Sequence, residues 1–322
     1  MSDIKLERSD IKVLSKALEW HASGERVCLI TVIKTWGSSP RPIGAMMSIN
    51  INGMSIGSVS GGCIEEELLL TIVNNFPESP SFLSYSSDKH KSLPCGGTVV
   101  LLIEPVSNSK GWHEFLSRLK SFKNTYRLVN RENPNNSYIK ETEVNKESLR
   151  DYFIINYPPP WRLLIIGSGD LSLSMFTFSS LMGYDVSICD PRKEFIESWP
   201  NSSISVHRMM PDDFIIRQNI DNKTAIVALT HDPKIDDLAM IEAVKTNAFY
   251  IGALGSVRTA KAREQRLIEH FDLTIHQINK IKAPIGIDFA TKKVDEIALS
   301  IMAEITVVKN GVSVLTERTV SK

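Results

Sequence analysis

The stretch from Trp161 to Asp190, "WRLLIIGSGDLSLSMFTFSSLMGYDVSICD", constrains the fold more than any other. Leu163 to Ile166 run straight into Gly167-Ser168-Gly169, a helix-period segment follows, and a second apolar run ends at Asp190. The order is strand, glycine turn, helix, strand. Further units follow, with "TAIVALTHD" and "AFYIGALGS" as strands and "IDDLAMIEAVKT", "RTAKAREQRLIEH" and "VDEIALSIMAEITVV" as helices. Strands alternating with helices indicate a parallel sheet covered on both faces.

The turn has the context that a dinucleotide fingerprint requires. Gly167 would permit the tight turn and Gly169 the close approach of a pyrophosphate, with the helix amides facing that anion. Asp190 would accept from a ribose hydroxyl. Ser172 stands at the third glycine position, and Asp170 places a negative charge in the first helical turn. That charge suits the helix dipole, by about 0.3–1 kcal/mol, but competes with a phosphate for the same amides. Arg192 could pair with a 2′-phosphate, so NAD and NADP are not separated. A Rossmann-type domain that binds no nucleotide is the plain alternative. Two other turns sit at strand ends where open α/β sheets bind ligands. "THD" holds His231 and Asp232, read as a proton donor or as a loop histidine bonded to its neighbour. "GALGS" holds Gly255 and Ser256 ahead of Arg258, and reads as an anion cradle or as a turn with an N-cap.

The first half mixes strands and helices. Residues 10–23 carry a helical pattern stopped by Gly24, and "RVCLITVIKTWG" reads as a central strand ending at Gly37. Asn52-Gly53 marks a hairpin. "CGGTVVLLIEP" holds another strand. "TWGSSPRPIGAMM" places Arg41, whose planar fork suits phosphate, in a proline-stiffened loop. "GSVSGGCIEEELL" places Gly61, Gly62 and Cys63 at a helix start, where a thiolate is favoured, although Glu65, Glu66 and Glu67 oppose it. Cys95, Gly96 and Gly97 form the mirrored corner. Each cysteine reads either as a small buried hydrophobe or as a soft thiolate beside an anion pocket. The second reading suits a ligand with sulfur or a soft metal and a phosphate.

The expected class is α/β, an N-terminal α+β domain over residues 1–106 and a C-terminal Rossmann-type parallel-sheet domain over 158–322. A weakly patterned linker over 107–157 ends at "YPPPW", a stiff extended boundary. Lys+Arg and Asp+Glu are both 37, so the formal net charge is zero and gives no case for nucleic acid or an anionic membrane surface. No apolar run is long enough to span a bilayer, and "MSDIKLERSD" is not a signal peptide. None of the four cysteines lies in a C-x-x-C pair. The expectation is a cytoplasmic protein with reduced thiols.

"TVIKTWGSSPRPIGAMM", "GSVSGGCIEEELL" and "PCGGTVVLLIEP" resemble the N-terminal domain of the XdhC/CoxI family. "LLIIGSGDLS", "ALTHDPKIDDLAM", "YIGALGSVRTAKAREQRL" and "APIGIDFATKKVDEIALSIMAEI" resemble its C-terminal Rossmann-type domain. The resemblance covers most of the chain in the family's order. It implies an accessory factor, with no catalytic residues assigned, that binds the molybdenum cofactor as molybdopterin or its dinucleotide form. Such a factor protects the cofactor during sulfuration and delivers it to an apo molybdenum hydroxylase of the xanthine dehydrogenase type. A cysteine desulfurase or sulfurtransferase is the implied second partner, and a homodimer the default assembly. Carried over by position, Arg41, Gly61, Gly62, Cys63, Cys95, Gly96 and Gly97 would form the N-terminal site. Cys63 would be the metal contact, approaching the molybdenum or its sulfido ligand, with Arg41 and the glycine-turn amides holding the phosphate. Gly167, Gly169, Asp190, His231, Asp232, Gly255, Ser256, Arg258 and Asp288 would line the Rossmann crevice. Asp170 stands where the family usually carries histidine. The competing function is an NAD(P)-dependent oxidoreductase, resting on the fingerprint and His231.

Overall fold

A computed structural model describes residues 8–37, 41–86, 97–107, 109–141, 149–201 and 203–312. The described chain divides into two compact units between Pro159 and Pro160, within the proline run.

The first unit comprises α1 (Ser9–Ala22), β1 (Val27–Gly37), β2 (Met46–Asn50), β3 (Ser55–Gly57), α2 (Glu65–Asn74), β4 (Ser81–Ser86), β5 (Gly97–Pro105), α3 (Ser109–Lys120), β6 (Thr125–Asn130), β7 (Ser137–Lys140) and β8 (Tyr152–Tyr157). Five strands form an antiparallel sheet in the order β3-β2-β1-β5-β4. The β-branched run of β1 is its central strand, buried from Val27 to Ile33. Alternation sends Val27, Leu29 and Ile33 into one core with Leu14, Leu18 and Phe115 of the helices. It sends Cys28, Ile30 and Val32 into another, with Ile64, Leu68 and Ile72 around α2. Where the sequence pattern is weakest, over 107–157, the chain forms α3 and a three-stranded sheet ordered β7-β6-β8. Its Leu128, Val129, Ile155 and Tyr157 are buried, so the segment is part of the first unit's fold.

The ends of the strands are what position a site. Thr31 pairs with Met46, Met47 with Gly57, Gly37 with Gly97, and Ser86 with Thr98. The chain therefore leaves β1, β3 and β4 and enters β2 and β5 at one end of the sheet. Gly44, at φ +91°, lies on the approach to β2, and a Cβ there would stand 3.3 Å from Ile155 Cγ2.

The second unit comprises β9 (Arg162–Ile166), α4 (Asp170–Leu181), β10 (Asp185–Cys189), α5 (Lys193–Glu197), β11 (Val206–His207), α6 (Pro211–Arg217), β12 (Thr224–Ala228), α7 (Pro233–Ala243), β13 (Tyr250–Ala253), α8 (Val257–Phe271), α9 (Ile275–Ile278), β14 (Ile281–Lys282) and α10 (Val294–Lys309). Its six strands are all parallel, in the order β11-β10-β9-β12-β13-β14. Counted from β9, this is the doubly wound order in which the chain reverses direction across the sheet between β9 and β12. Leu163 and Ile165 face a core completed by α4 and α10, while Leu164 and Ile166 face one completed by α6, α7 and α8. Burial on both faces is why β9 reads as an unbroken apolar run.

One charged pair sits inside the first unit. Arg127 of β6 donates to Glu104 of β5, both only 3% exposed, and the Arg127 guanidinium lies 4.8 Å from the Trp112 ring. Removing one partner of such a pair strands the other charge, at a cost of about 3–5 kcal/mol. Arg127→Met is therefore expected to lose stability on that scale in urea unfolding followed by tryptophan fluorescence. Arg127→Met combined with Glu104→Leu is expected to recover most of the loss.

Candidate functional site

In the first unit the described residues singled out by sequence lie toward one end of the five-stranded sheet. Arg41 is half-buried in the segment entering β2. Gly61 and Gly62, exposed and at φ +80° and +112°, form the turn between β3 and α2, and Cys63 follows half-buried. Ser58 N–H bonds the Met46 carbonyl at 3.2 Å, which ties this turn to the start of β2. Gly97 opens β5 at the same end, while Cys95 and Gly96 lie outside the described residues. Strand register thus places the Arg41 segment and the Cys63 turn at the same end of the sheet.

The amides of the glycine turn face inward onto a side chain of the same chain. Val59 and Ser60 N–H donate to Glu65 Oε1 at 3.0 and 2.8 Å, and Ser58 Oγ does so at 2.6 Å. Gly62 and Ile64 N–H donate to Oε2 at 2.9 and 3.2 Å, joined by Ser60 Oγ. Gly61 N–H goes to Ser58 Oγ at 2.8 Å and Cys63 N–H to Ser60 Oγ at 2.9 Å. Burial opposes the charge on Glu65, but the bonds from Ser58, Ser60 and the backbone outweigh it and hold its carboxyl down at about 2. Glu65 takes the amides that an external anion would need. Cys63 is half-buried, its side chain packed against the core around α2. Cys28 is fully buried, and burial pushes its thiol up to about 12.

In the second unit the expected residues line the C-terminal ends of the parallel strands. Gly167, at φ +110°, ends β9 beside the end of β12, where a Cβ would stand 3.0 Å from Thr230 Cγ2. The conformation favours glycine there, and a Cβ would fit tightly against Thr230. Gly169 is the N-cap position of α4. Asp190, expected to accept from a ribose hydroxyl, has no exposed surface. Its Oδ2 accepts from Ser168 N–H at 2.8 Å, Ser168 Oγ at 3.1 Å and Arg192 Nη2 at 2.8 Å. Its Oδ1 accepts from Arg192 N–H and Nε at 3.0 and 2.9 Å. Burial works against ionisation, yet Arg192 and the Ser168 amide hold the carboxyl below the usual range. Arg192, expected to reach a 2′-phosphate, is committed to Asp190 and stacks 3.8 Å from the Phe195 ring. The carboxylate is a brace for the glycine turn.

His231 is exposed, at φ +61° beyond β12. Asp232 caps α7 through Lys234 N–H at 2.9 Å. Gly255, at φ +151°, precedes Ser256, which caps α8 through Thr259 N–H at 3.2 Å. Arg258 is exposed on the first turn of α8, and Asp288 is exposed beyond β14, accepting from Ala290 N–H at 2.9 Å. A buried network fixes two of these turns. Thr230 Oγ1 donates to Asp236 Oδ1 at 2.7 Å. Arg263 bonds Asp237 Oδ1 at 2.9 Å, Asp236 Oδ2 at 3.4 Å and the Leu254 carbonyl at 3.2 Å. Arg266 bonds Asp237 Oδ2 at 2.9 Å. Among the described residues, no group of three or more His, Cys, Asp or Glu side chains is placed to hold a metal ion, and no helix is long and apolar enough to cross a membrane.

Residues 163–305 match the family model described as the XdhC Rossmann domain, and residues 20–81 match that of the XdhC and CoxI family. The chain belongs to the XdhC/CoxI family. It is 27% identical over 301 residues to the molybdenum cofactor insertion chaperone PaoD of Escherichia coli (strain K12), covering 92% of this chain and 88% of that protein. It is 23% identical over 334 residues to a protein of Bacillus subtilis (strain 168) named as a probable xanthine dehydrogenase subunit, covering 90% and 96%. A crystal structure described as a xanthine dehydrogenase from Bacillus halodurans shares the fold, with a TM-score of 0.75, 23% identity and coverage of 97% and 98%.

Within this XdhC/CoxI chain, sequence reasoning missed the roles of Glu65, Ser60, Asp236, Asp237 and Arg263. Glu65 had a signal. It stands three residues after Gly62, the spacing at which an acidic side chain reaches back to a helix-entry amide. Arg263 and Arg266, one helical turn apart, mark one face of α8. Nothing local links them to Asp236 and Asp237. With Cys95 replaced by serine, Cys63 is expected to react rapidly with a disulfide reagent at pH 8. Cys28 and Cys189, both buried and both pushed up to about 12 by burial, are expected to stay silent until the fold opens. Mass-resolved labelling with and without urea checks this.

Proposed function

We propose that this chain is a maturation factor that holds the molybdenum cofactor and passes it to a molybdenum hydroxylase of the xanthine dehydrogenase type. Membership of the XdhC/CoxI family supports the class, as do the names of the E. coli and B. subtilis relatives. The observation that carries the reading to residues is the Cys63 turn, a half-buried cysteine on the same sheet end as the Arg41 segment. A thiol suits a soft, sulfur-coordinated metal, and a guanidinium suits the phosphate of a pterin cofactor. The cofactor is cargo here. The chain's part is to bind it, orient it and shield it from water and oxygen while its terminal sulfido ligand is installed. A sulfur-donating enzyme then belongs among the partners, beside the apo-hydroxylase, and a symmetric dimer is the default assembly. Gly167, Gly169, His231, Asp232, Gly255, Ser256, Arg258 and Asp288 remain in this proposal as residues framing a second ligand-facing edge.

The oxidoreductase alternative is opposed by Asp190, whose oxygens are both engaged and inaccessible to a ribose. Adding NAD or NADP is expected to leave the melting temperature unchanged; a rise of several degrees with either coenzyme would favour that alternative. Protein purified from a cofactor-producing host is expected to contain molybdenum and released pterin fluorescence in near-equal amounts. Cys63→Ser and Arg41→Ala are each expected to retain about tenfold less, the loss of one charge-assisted or metal contact. Wild-type retention in both variants would refute the assignment.

A further inference from the structure

The turn between β3 and α2 is built like an anion site, and the chain has already filled it. Gly61 and Gly62 take backbone conformations that side chains rarely adopt. Nothing lies within 4 Å of a Cβ built on Gly62, so conformation and not crowding calls for glycine. The conformation turns successive amides toward one point, which is how a backbone nest receives an anion. That point is the Glu65 carboxylate, which receives Val59, Ser60, Gly62 and Ile64 N–H together with the Ser58 and Ser60 hydroxyls. The two serines accept in turn from Gly61, Cys63 and Ile64 N–H. Cys63 is thus tied to Glu65 through Ser60, and no amide from Val59 to Ile64 is left over for a ligand.

We propose that Glu65 is the built-in anion of this cradle and the positioning residue for the Cys63 thiol. The turn's amides are closed to phosphate. Cys63 matters as a ligand contact only on the maturation reading; the internal anion does not rest on it.

The test uses the full chain without cofactor, with Cys95 replaced by serine. The readout is the rate at which N-ethylmaleimide labels Cys63, resolved by mass. Glu65→Ala is expected to label about tenfold faster, as a turn loses its charge-assisted bonds and opens locally. Sodium formate, a small carboxylate that can enter the emptied cradle, is expected to return the rate toward wild type with saturation. Sodium chloride at equal ionic strength is expected not to, and neither salt should alter wild type. Should Glu65→Ala fail to fold, Glu65→Gln and Ser60→Ala serve. Glu65→Gln is expected to label at an intermediate rate, and Ser60→Ala faster than wild type without sensitivity to formate. An unchanged rate in the Glu65 variant, or an increase that formate does not reverse, would overturn the proposal. Cofactor retention is a separate measurement, so failure of the maturation reading is distinguishable from failure of this one.

Discussion

A buried or half-buried carboxylate that collects backbone amides is the interaction on which the candidate sites depend. Amides in a glycine turn repel one another when they converge, and they stay converged only around an acceptor. In the first unit Glu65 is that acceptor, and in the second Asp190 serves the Gly167 turn through Ser168. Each carboxylate belongs to the element next to its turn, so each turn is set by folding and does not wait for a ligand. The cost of desolvating these charges is offset by the bonds they receive, which is why both carboxyls titrate low.

Preset turns have different consequences in the two units. Around Glu65 the backbone donors are spent, and on the proposed reading it is the Cys63 thiol that meets a ligand. Around Asp190 the group that would hold a ribose is itself the brace, clamped by Arg192. The switch point between β9 and β12 keeps the shape of a nucleotide crevice without that acceptor. Its neighbouring turns are held by Arg263 against Asp236, Asp237 and the Leu254 carbonyl, a network with less than a tenth of any of the three side chains exposed.

Much of the second unit's architecture was legible because a doubly covered strand and its crossover helix leave separate signatures in sequence. Gly167 was legible as a turn for the same reason, and its tight fit beside Thr230 emerges only once β12 is paired with β9. The sheet order, and the three-stranded sheet within 107–157, were not legible. β7 alternates between half-buried and exposed positions, and β6 carries a buried arginine whose partner Glu104 is remote in sequence. The glycine motifs disclosed converging amides but not what fills them. Spacing encodes the backbone's shape, whereas the acceptor can come from a ligand or from a nearby carboxylate, and only coordinates separate the two.

The central claim is that a turn closed by Glu65 offers the Cys63 sulfur to a molybdenum-bearing ligand. Molybdenum K-edge X-ray absorption on the cofactor-loaded chain, wild type against Cys63→Ser, tests it most directly. The account predicts that the sulfur shell around molybdenum changes when the cysteine sulfur is replaced by oxygen. Superimposable spectra from equally loaded samples would contradict it.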